Sequence, residues 1–178
     1  MQRIYQSGNL IYYDVPKAAS TSIKTALGIP ELKVGYAYGD KPEGEVVGFK
    51  FSFVRDPADR LLSIYEMYLR YTHLAKLYRV PSNLSDFLEC AIHTDDNLHW
   101  IPQYHFLPII DNKIQLDFLG RFERLAEDWA YLQSRFDLPD LPKLNAVTRL
   151  WREIPIQYRK AITKRYAKDY ELFGYDPQ

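Results

Sequence analysis

Cysteine is nearly absent from this sequence of 178 residues, which contains only Cys90. A single thiol excludes an internal disulfide and any metal site built from several cysteines, and it favours a reducing compartment. No apolar run reaches the ~18 residues that a membrane-spanning helix needs, and the first residues lack the pattern of a signal peptide. We therefore expect a cytoplasmic chain without a membrane span.

The sequence also has no excess of either charge, because 23 Lys and Arg residues balance 23 Asp and Glu residues. A neutral chain creates no general field that would attract a nucleic acid polymer, so any anion site must be local. The length suits one hydrophobic core. We expect a single domain over residues 1–178.

Three short segments rich in β-branched and aromatic residues predict strands: Asn9–Val15, Val46–Val54 and Ile114–Phe122. A helical pattern follows each of the first two, and the first helix is predicted to end at Gly28. The second helix has a clear start, with Asp56 as its N-cap and Pro57 in its first turn. Its predicted apolar stripe consists of Leu61, Leu62, Tyr65, Tyr68 and Leu69. Strands that alternate with helices indicate β-α units and a parallel sheet. The predicted fold is α/β, with three layers and a central parallel sheet.

Glycine is missing from the loop between the first strand and the first helix, since no glycine lies between Val15 and Leu27. The P-loop pattern G-x-x-x-x-G-K-[ST] is therefore not present, and Lys17 precedes the hydroxyl residues instead of adjoining them. A nucleoside triphosphate with Mg²⁺ is disfavoured. A sulfuryl group in transfer carries less negative charge than a terminal phosphoryl group, so one lysine and a few hydroxyls would suffice for it.

The same loop nevertheless has the position of an anion site. It lies at the carboxyl edge of the predicted parallel sheet, where main-chain N–H groups at a helix start have no partner inside the helix. Lys17 can add a point charge and Ser20, Thr21 and Ser22 can add hydroxyl donors. The alternative is that Ser20 or Thr21 is an ordinary helix N-cap and that Lys17 is solvated.

The second strand-to-helix junction carries Arg55 at the end of the strand. Ser63 follows Asp56 by two helical turns, which returns it to the same face about 10 Å along the helix. Arg55 and Ser63 could therefore bind a phosphate. Alternatively, Arg55 pairs with Asp56 or Asp59 and Ser63 only packs. The two junctions together predict a ligand with two well-separated phosphates.

The motifs resemble a known family. "PKAASTSI" and "FVRDPADRLLSIY" look like the 5′ and 3′ binding elements of sulfotransferases that use 3′-phosphoadenosine 5′-phosphosulfate (PAPS). "NLHWIPQ" (Asn97–Gln103), "LDFLGRFERLAED" (Leu116–Asp128) and "YAKDYELFGYD" (Tyr166–Asp176) resemble the carbohydrate branch that contains the chondroitin 4-O-sulfotransferases. The resemblance implies a P-loop-NTPase-like sulfotransferase fold.

The resemblance also implies sulfuryl transfer from PAPS to a hydroxyl of a sugar, a lipid or a small metabolite, without a metal. Lys17 would neutralise the leaving phosphate. The 5′ phosphosulfate would be held by Lys17, Ala18, Ala19, Ser20, Thr21 and Ser22, and the 3′ phosphate by Arg55 and Ser63. The alternatives are a small-molecule or nucleoside kinase with a degenerate P-loop and a non-catalytic nucleotide-binding protein.

Transfer to a hydroxyl needs a base near the acceptor oxygen. His99 lies in the "NLHWIPQ" motif beside Trp100, whose ring could stack on a sugar, and His105 is the second candidate. The alternative for His99 is a structural histidine near a helix end. More distantly related sulfotransferases use a glutamate after the first helix, which points to Glu31, Glu43 or Glu45.

Overall fold

The structure is a computed structural model that describes residues 2–29, 47–144 and 153–177. The chain divides into two compact units, the first formed by Met1–Arg55 with Tyr104–Ala146 and the second by Asp56–Gln103 with Val147–Gln178. Within the described ranges, no helix is both long enough and apolar enough to cross a membrane. The expected single domain over 1–178 stays a prediction, and each unit is described by itself.

Among the described residues, the strands lie in the first unit and most helices lie in the second. The strands are β1 (Ile4–Ser7), β2 (Leu10–Tyr13), β3 (Phe49–Val54), β4 (Ile109–Ile110), β5 (Lys113–Ile114) and β6 (Phe118–Arg121). The helices are α1 (Ser20–Ala26), α2 (Pro57–Arg70), α3 (Thr72–Leu77), α4 (Leu84–His93), α5 (Leu125–Arg135), α6 (Ile156–Arg165) and α7 (Ala167–Phe173). The first unit contains α1 and α5.

The main sheet has the strand order β1-β2-β3-β6. The pairs β2-β3 and β3-β6 are parallel, which confirms the predicted α/β class. The central strands of the sheet are parallel as predicted, but the prediction missed β1, which pairs antiparallel with β2 through a two-residue turn at Gly8 and Asn9. Gly8 adopts a φ of 57°, a conformation that suits a tight hairpin and that glycine adopts without strain. The sheet is therefore mixed.

The third predicted strand is shorter than expected. Only Phe118–Arg121 joins the sheet, as β6. Ile114 belongs to a separate hairpin of β4 and β5, whose turn residues Asp111 and Asn112 have φ values of 50° and 57°. Positive φ at both central residues is the mark of the two-residue hairpin turns that suit the twist of the strands.

The sheet packs tightly around its central strands. All four residues of β2 are buried, as is typical of a strand covered on both faces. Tyr12 stacks on Phe51 of β3, with ring centroids 5.2 Å apart. A Cβ atom at Gly120 of β6 would clash with the buried ring of Phe53, so this position in the edge strand accepts only glycine without a shift of that ring.

Helix α1 ends where the sequence predicts. Gly28 has a φ of 67°. Its N–H donates to the Thr25 carbonyl at 3.1 Å, and the N–H of Ile29 donates to the Lys24 carbonyl at 2.9 Å. Lys24 also reaches back to the end of β2, where its Nζ lies 3.7 Å from Oδ2 of the buried Asp14. The short helix is thus tied to the strand before it.

The second unit is helical and has its own core. Helix α2 begins as predicted, because Oδ1 of the N-cap Asp56 accepts from the Asp59 N–H at 2.8 Å and Pro57 is the first residue. Most of its predicted apolar stripe is buried, but Leu69 is exposed. Its neighbour Tyr68 already faces the core, and adjacent helical residues point about 100° apart.

Candidate functional site

The loop after β2 has an unusual backbone. Residues 16–19 form a turn in which Lys17 and Ala19 have φ values of 71° and 64°. The left-handed region costs a residue with a side chain roughly 1–2 kcal/mol, and such strain persists where the surrounding structure enforces it. Lys17 and Ala19 therefore adopt a conformation that glycine adopts without this cost.

The hydroxyl residues after this turn do not serve as helix caps. The N-cap of α1 is Ala19, and within the described part of the chain no side chain caps it. Ser20 and Thr21 are the first residues inside the helix and are half-buried, whereas Ser22 is buried. The alternative that Ser20 or Thr21 is the N-cap was therefore wrong.

Arg55 lies at the carboxyl edge of the sheet beside the Lys17 loop. The pairings Tyr13↔Ser52 and Val54↔Arg121 bring the ends of β2, β3 and β6 together. Arg55 is the residue directly after β3, so this register places it at the carboxyl edge of the sheet. It is only 4% exposed. Its Nη1 donates to the main-chain oxygen of Lys17 at 3.2 Å.

The guanidinium of Arg55 is also held from a third strand end. Its Cζ lies 4.0 Å from the centroid of the Phe122 ring, just beyond β6. An arginine that stacks on an aromatic face and donates to a carbonyl has few rotamers left. The planar cation is therefore oriented before any ligand arrives. Its place beside the Lys17 loop agrees with the predicted adjacency of the two junctions.

Ser63 lies on α2 in the second unit. It is half-buried, and its neighbours Leu62 and Ile64 are buried. The predicted action of Arg55 and Ser63 on one phosphate stays a prediction.

The segment Asn97–Gln103 is held by buried side chains of α2. Arg60 is 1% exposed and donates to the main-chain oxygens of His99 at 2.6 Å and Ile101 at 3.0 Å. These two carbonyl oxygens accept part of the hydrogen bonds that a fully buried guanidinium needs. The main chain on both sides of Trp100 is fixed to α2.

Tyr166, between α6 and α7, and Asp169, on α7, hold the same segment. The Tyr166 hydroxyl donates to the main-chain oxygen of Trp100 at 2.6 Å, and the N–H of Gln103 donates to Oδ2 of the buried Asp169 at 2.7 Å. Burial raises the pKa of Tyr166 well above its ordinary value, so its hydroxyl keeps the proton that it donates. We call the bonds made by Arg60, Tyr166 and Asp169 the segment clamp.

Within this segment His99 is only 9% exposed. Its Nδ1 lies 3.1 Å from the hydroxyl of Tyr68 and 3.1 Å from Oδ1 of Asn97. The Trp100 ring is 2% exposed, packs edge-on against Phe87 and donates to the Thr94 carbonyl at 3.2 Å. The idea that Trp100 stacks on a sugar was therefore wrong, because its ring belongs to the core.

Comparison with known proteins supplies the family. The sequence model described as "Sulfotransferase family" matches residues 47–176. This chain belongs to the sulfotransferase family. The matched sulfotransferase region contains Arg55, Ser63 and the whole segment clamp, whereas the Lys17 loop precedes it.

Named relatives agree with this assignment. Carbohydrate sulfotransferase 14 of Danio rerio is 28% identical, over 71% of this chain and 44% of its own length. Carbohydrate sulfotransferase 12 of Xenopus laevis is 28% identical, over 71% of this chain and 40% of its own length. For carbohydrate sulfotransferase 14 of Mus musculus the values are 29%, 71% and 42%. The chain thus spans less than half the length of these sulfotransferases. No solved structure matches it.

The structure says less about the other residues that we considered as the base in this sulfotransferase-family chain. His105 is exposed in the first unit, with its ring centroid 4.1 Å from that of Tyr104. Glu31, Glu43 and Glu45 lie outside the described residues. In the part of the chain that the structure describes, no three His, Cys, Asp or Glu side chains are grouped to hold a metal ion. The assignment of the base stays a prediction.

The sequence did contain signals for residues that our predictions missed. Arg60 is spaced four residues from Ile64 and eight from Tyr68, so it lies on the buried face of α2. Asp169 follows the buried Tyr166 by three residues and precedes the buried Phe173 by four. A charged residue in register with an apolar stripe has to find buried partners, and here those partners lie in or next to the "NLHWIPQ" motif.

Proposed function

We propose that this chain binds PAPS and transfers its sulfuryl group to a hydroxyl of a carbohydrate or other small acceptor. Membership of the sulfotransferase family supports the reaction class, and the names of the relatives support a carbohydrate. The observation that carries the proposal is the bond from Arg55 to the main chain of Lys17, which puts an oriented guanidinium next to the Lys17 loop. The finer fold that we propose is the three-layer, P-loop-NTPase-like arrangement.

The residues at this edge of the sheet suit an anionic nucleotide. Alternating right- and left-handed backbone conformations form concave groups of N–H donors that bind anions, and the positive φ values at Lys17 and Ala19 are of this kind. In the proposal, Ala18, Ala19 and the hydroxyls of Ser20, Thr21 and Ser22 hold the 5′ phosphosulfate. Arg55 and Ser63 hold the 3′ phosphate, for which a stacked, preoriented arginine is well suited.

The reaction needs little covalent chemistry from the protein. The acceptor oxygen attacks sulfur, the bond between sulfur and the bridging oxygen breaks, and the electron pair of that bond stays on the 5′ phosphate of adenosine 3′,5′-bisphosphate. Lys17 neutralises the charge that grows on this leaving oxygen. His99 takes the proton from the acceptor hydroxyl. Positioning and charge stabilisation supply most of the rate.

Thermal unfolding with three nucleotides tests the donor. We expect adenosine 3′,5′-bisphosphate at about 100 times its Kd to stabilise the chain by about 2.7 kcal/mol, which corresponds to a Tm shift of roughly 5–10 °C. AMP is expected to stabilise less, and EDTA to change nothing. Greater stabilisation by ATP with Mg²⁺ would instead support a kinase, and no stabilisation by any of the nucleotides would contradict the proposed site.

Activity is then measured with PAPS and a set of sugar acceptors. Formation of adenosine 3′,5′-bisphosphate that depends on the acceptor is the expected result. Binding of the bisphosphate without turnover on any acceptor would support a nucleotide-binding protein that has lost the chemistry.

A further inference from the structure

Asn97, His99 and Tyr68 form a buried polar cluster in the second unit. They are 5%, 9% and 2% exposed. Oδ1 of Asn97 accepts from the main-chain N–H of His99 at 3.0 Å, and Nδ2 of Asn97 donates to the Tyr68 hydroxyl at 2.7 Å. The His99 ring is the third member, with Nδ1 at 3.1 Å from both partners.

The orientation of the Asn97 amide follows from the main chain alone. A main-chain N–H can only donate, so the Asn97 atom that faces the His99 N–H at 3.0 Å must be the oxygen. With the opposite orientation, two donors would meet in a buried place, which is unfavourable. The amide nitrogen consequently faces Tyr68, whose oxygen can accept.

This orientation favours a ring proton on Nδ1 of His99. Oδ1 of Asn97 is only an acceptor, so its 3.1 Å contact with Nδ1 is a hydrogen bond only when Nδ1 carries hydrogen. A neutral imidazole has one ring proton, and with that proton on Nδ1 the lone pair is on Nε2. An unprotonated Nδ1 could accept from the Tyr68 hydroxyl at 3.1 Å, but its lone pair would then face the lone pairs of Oδ1 at the same distance.

We infer that Asn97 is a positioning residue, which holds neutral His99 as the Nδ1–H tautomer and thereby makes Nε2 the atom that accepts a proton. The catalytic meaning of this inference rests on the proposed function, in which His99 takes the proton of the acceptor hydroxyl. The proton then bonds to Nε2 while Nδ1–H continues to donate to Asn97. The cluster therefore serves both the neutral and the protonated ring without rearrangement.

The segment clamp makes this arrangement rigid. Arg60 fixes the main-chain oxygen of His99 while Asn97 fixes its main-chain nitrogen. With both ends of the residue held, the ring has little freedom except rotation about its side-chain bonds, and the contact with Tyr68 restricts that rotation. Supporting bonds of this kind give a proton-transfer group a defined direction.

Nuclear magnetic resonance tests the tautomer directly. Long-range ¹H–¹⁵N correlation spectra of the full ¹⁵N-labelled chain report which ring nitrogen of each neutral histidine carries the proton. The signals of His99 are assigned by their loss in His99→Gln, since the chain has only four histidines. We expect the proton of His99 on Nδ1. A proton mainly on Nε2 would overturn the inference, whatever the chain catalyses.

Variants separate the effect of Asn97 from that of Tyr68. Asn97→Asp keeps an acceptor oxygen and is expected to keep the Nδ1–H form, whereas Asn97→Leu is expected to lose it. Tyr68→Phe is the matched control and is expected to keep it, because Asn97 remains. A changed tautomer in Tyr68→Phe would overturn the role of Asn97, and this result is informative even where Asn97→Leu fails to fold.

Kinetics distinguish this inference from the proposed function. We expect His99→Gln to lower kcat roughly 10²- to 10⁴-fold, and Asn97→Leu about tenfold or more, with unchanged Kd for adenosine 3′,5′-bisphosphate. Asn97→Asp should recover part of the loss. A confirmed Nδ1–H tautomer together with an unchanged kcat in His99→Gln would overturn the role of His99 as base, and with it the catalytic part of the inference.

Discussion

The main-chain oxygen of Lys17 accepts a hydrogen bond from Nη1 of Arg55 at 3.2 Å. This bond joins the loops that follow two parallel strands, β2 and β3. Lys17 and Arg55 are therefore parts of one structure at the edge of the sheet. A substitution of Arg55 changes both the positive charge at this edge of the sheet and the support of the Lys17 turn.

Lys17 and Arg55 are expected to differ in kinetic effect. Lys17→Ala should lower kcat by about 10²–10³-fold with little change in donor binding, because the charge that it stabilises appears only as the sulfuryl group leaves. Arg55→Ala should weaken binding of adenosine 3′,5′-bisphosphate by roughly 10- to 100-fold, the value of one or two charged hydrogen bonds. Calorimetric titration and steady-state kinetics measure the two quantities.

Lys76→Ala on the exposed side of α3 serves as the control for a general loss of positive charge. Small and equal effects of Lys17→Ala and Arg55→Ala on both quantities would contradict the assigned roles. Arg55→Lys adds a sharper comparison, because it keeps the charge but cannot form the paired hydrogen bonds of a guanidinium.

Ser63 is predicted to recognise the 3′ phosphate. Ser63→Ala should weaken binding of adenosine 3′,5′-bisphosphate by about 0.5–1.5 kcal/mol, the typical contribution of one hydrogen bond, and leave binding of AMP unchanged. Calorimetric titration with both nucleotides measures the difference, and Ser85→Ala on the exposed surface of α4 is the control. An equal loss for the two nucleotides would show that Ser63 does not read the 3′ position.

Arg60 is predicted to be essential for the stability of the second unit. Arg60→Leu removes both donors to the His99 and Ile101 carbonyls and should lower the free energy of unfolding by about 3 kcal/mol, because two buried oxygens lose their partner. Urea denaturation measures this loss. Arg70→Leu, at the exposed end of the same helix, should change the stability by less than about 0.5 kcal/mol. Similar losses in the two variants would contradict the importance of the clamp.

Tyr166 is predicted to make the stability sensitive to alkaline pH. Burial raises its pKa above the ordinary value of 10.0, so the folded chain holds this proton more tightly than the unfolded chain does. The corresponding stabilisation is complete below about pH 10 and is lost as the pH rises beyond it. Tyr166→Phe should make the decline above about pH 10 less steep, and it should cost about 1–2 kcal/mol at about pH 8 through the lost bond to Trp100.

Urea denaturation between about pH 8 and pH 11 measures both effects. Tyr71→Phe is the control, since this ring is exposed. A pH dependence that Tyr166→Phe leaves unchanged would show that other groups, such as the buried Tyr12, control alkaline unfolding.

The sequence predicted local features well because their causes are local. Asp56 and Pro57 start α2 and Gly28 ends α1 through hydrogen bonds and backbone preferences within a few residues. The parallel order of β2 and β3 also followed, because a helix between two strands permits it. The place of Arg55 next to Lys17 could be expected once this order was assumed.

Features that depend on distant partners could not be predicted in the same way. The positive φ values of Lys17 and Ala19 are enforced by their surroundings and leave no glycine in the sequence as a sign. A tryptophan ring can stack on a sugar or pack in a hydrophobic core, and the residue type alone does not distinguish the two roles. Only the packing of Trp100 against Phe87 shows that it lies in the core. The hydrogen-bond partners of Arg60 lie about 40 residues away in sequence. The helical spacing therefore indicated that Arg60 is buried, but not which residues it would bind.

The segment clamp also limits how this chain can be recombined with its relatives. Tyr166 and Asp169 hold the main chain at Trp100 and Gln103, although more than 60 residues separate the two regions in sequence. In a chimera of two sulfotransferases, α6 and α7 should therefore be inherited from the same parent as residues 97–103. A chimera that takes residues 97–103 from one parent and α6 and α7 from the other would lose the clamp, even though each part keeps the sequence of its own parent.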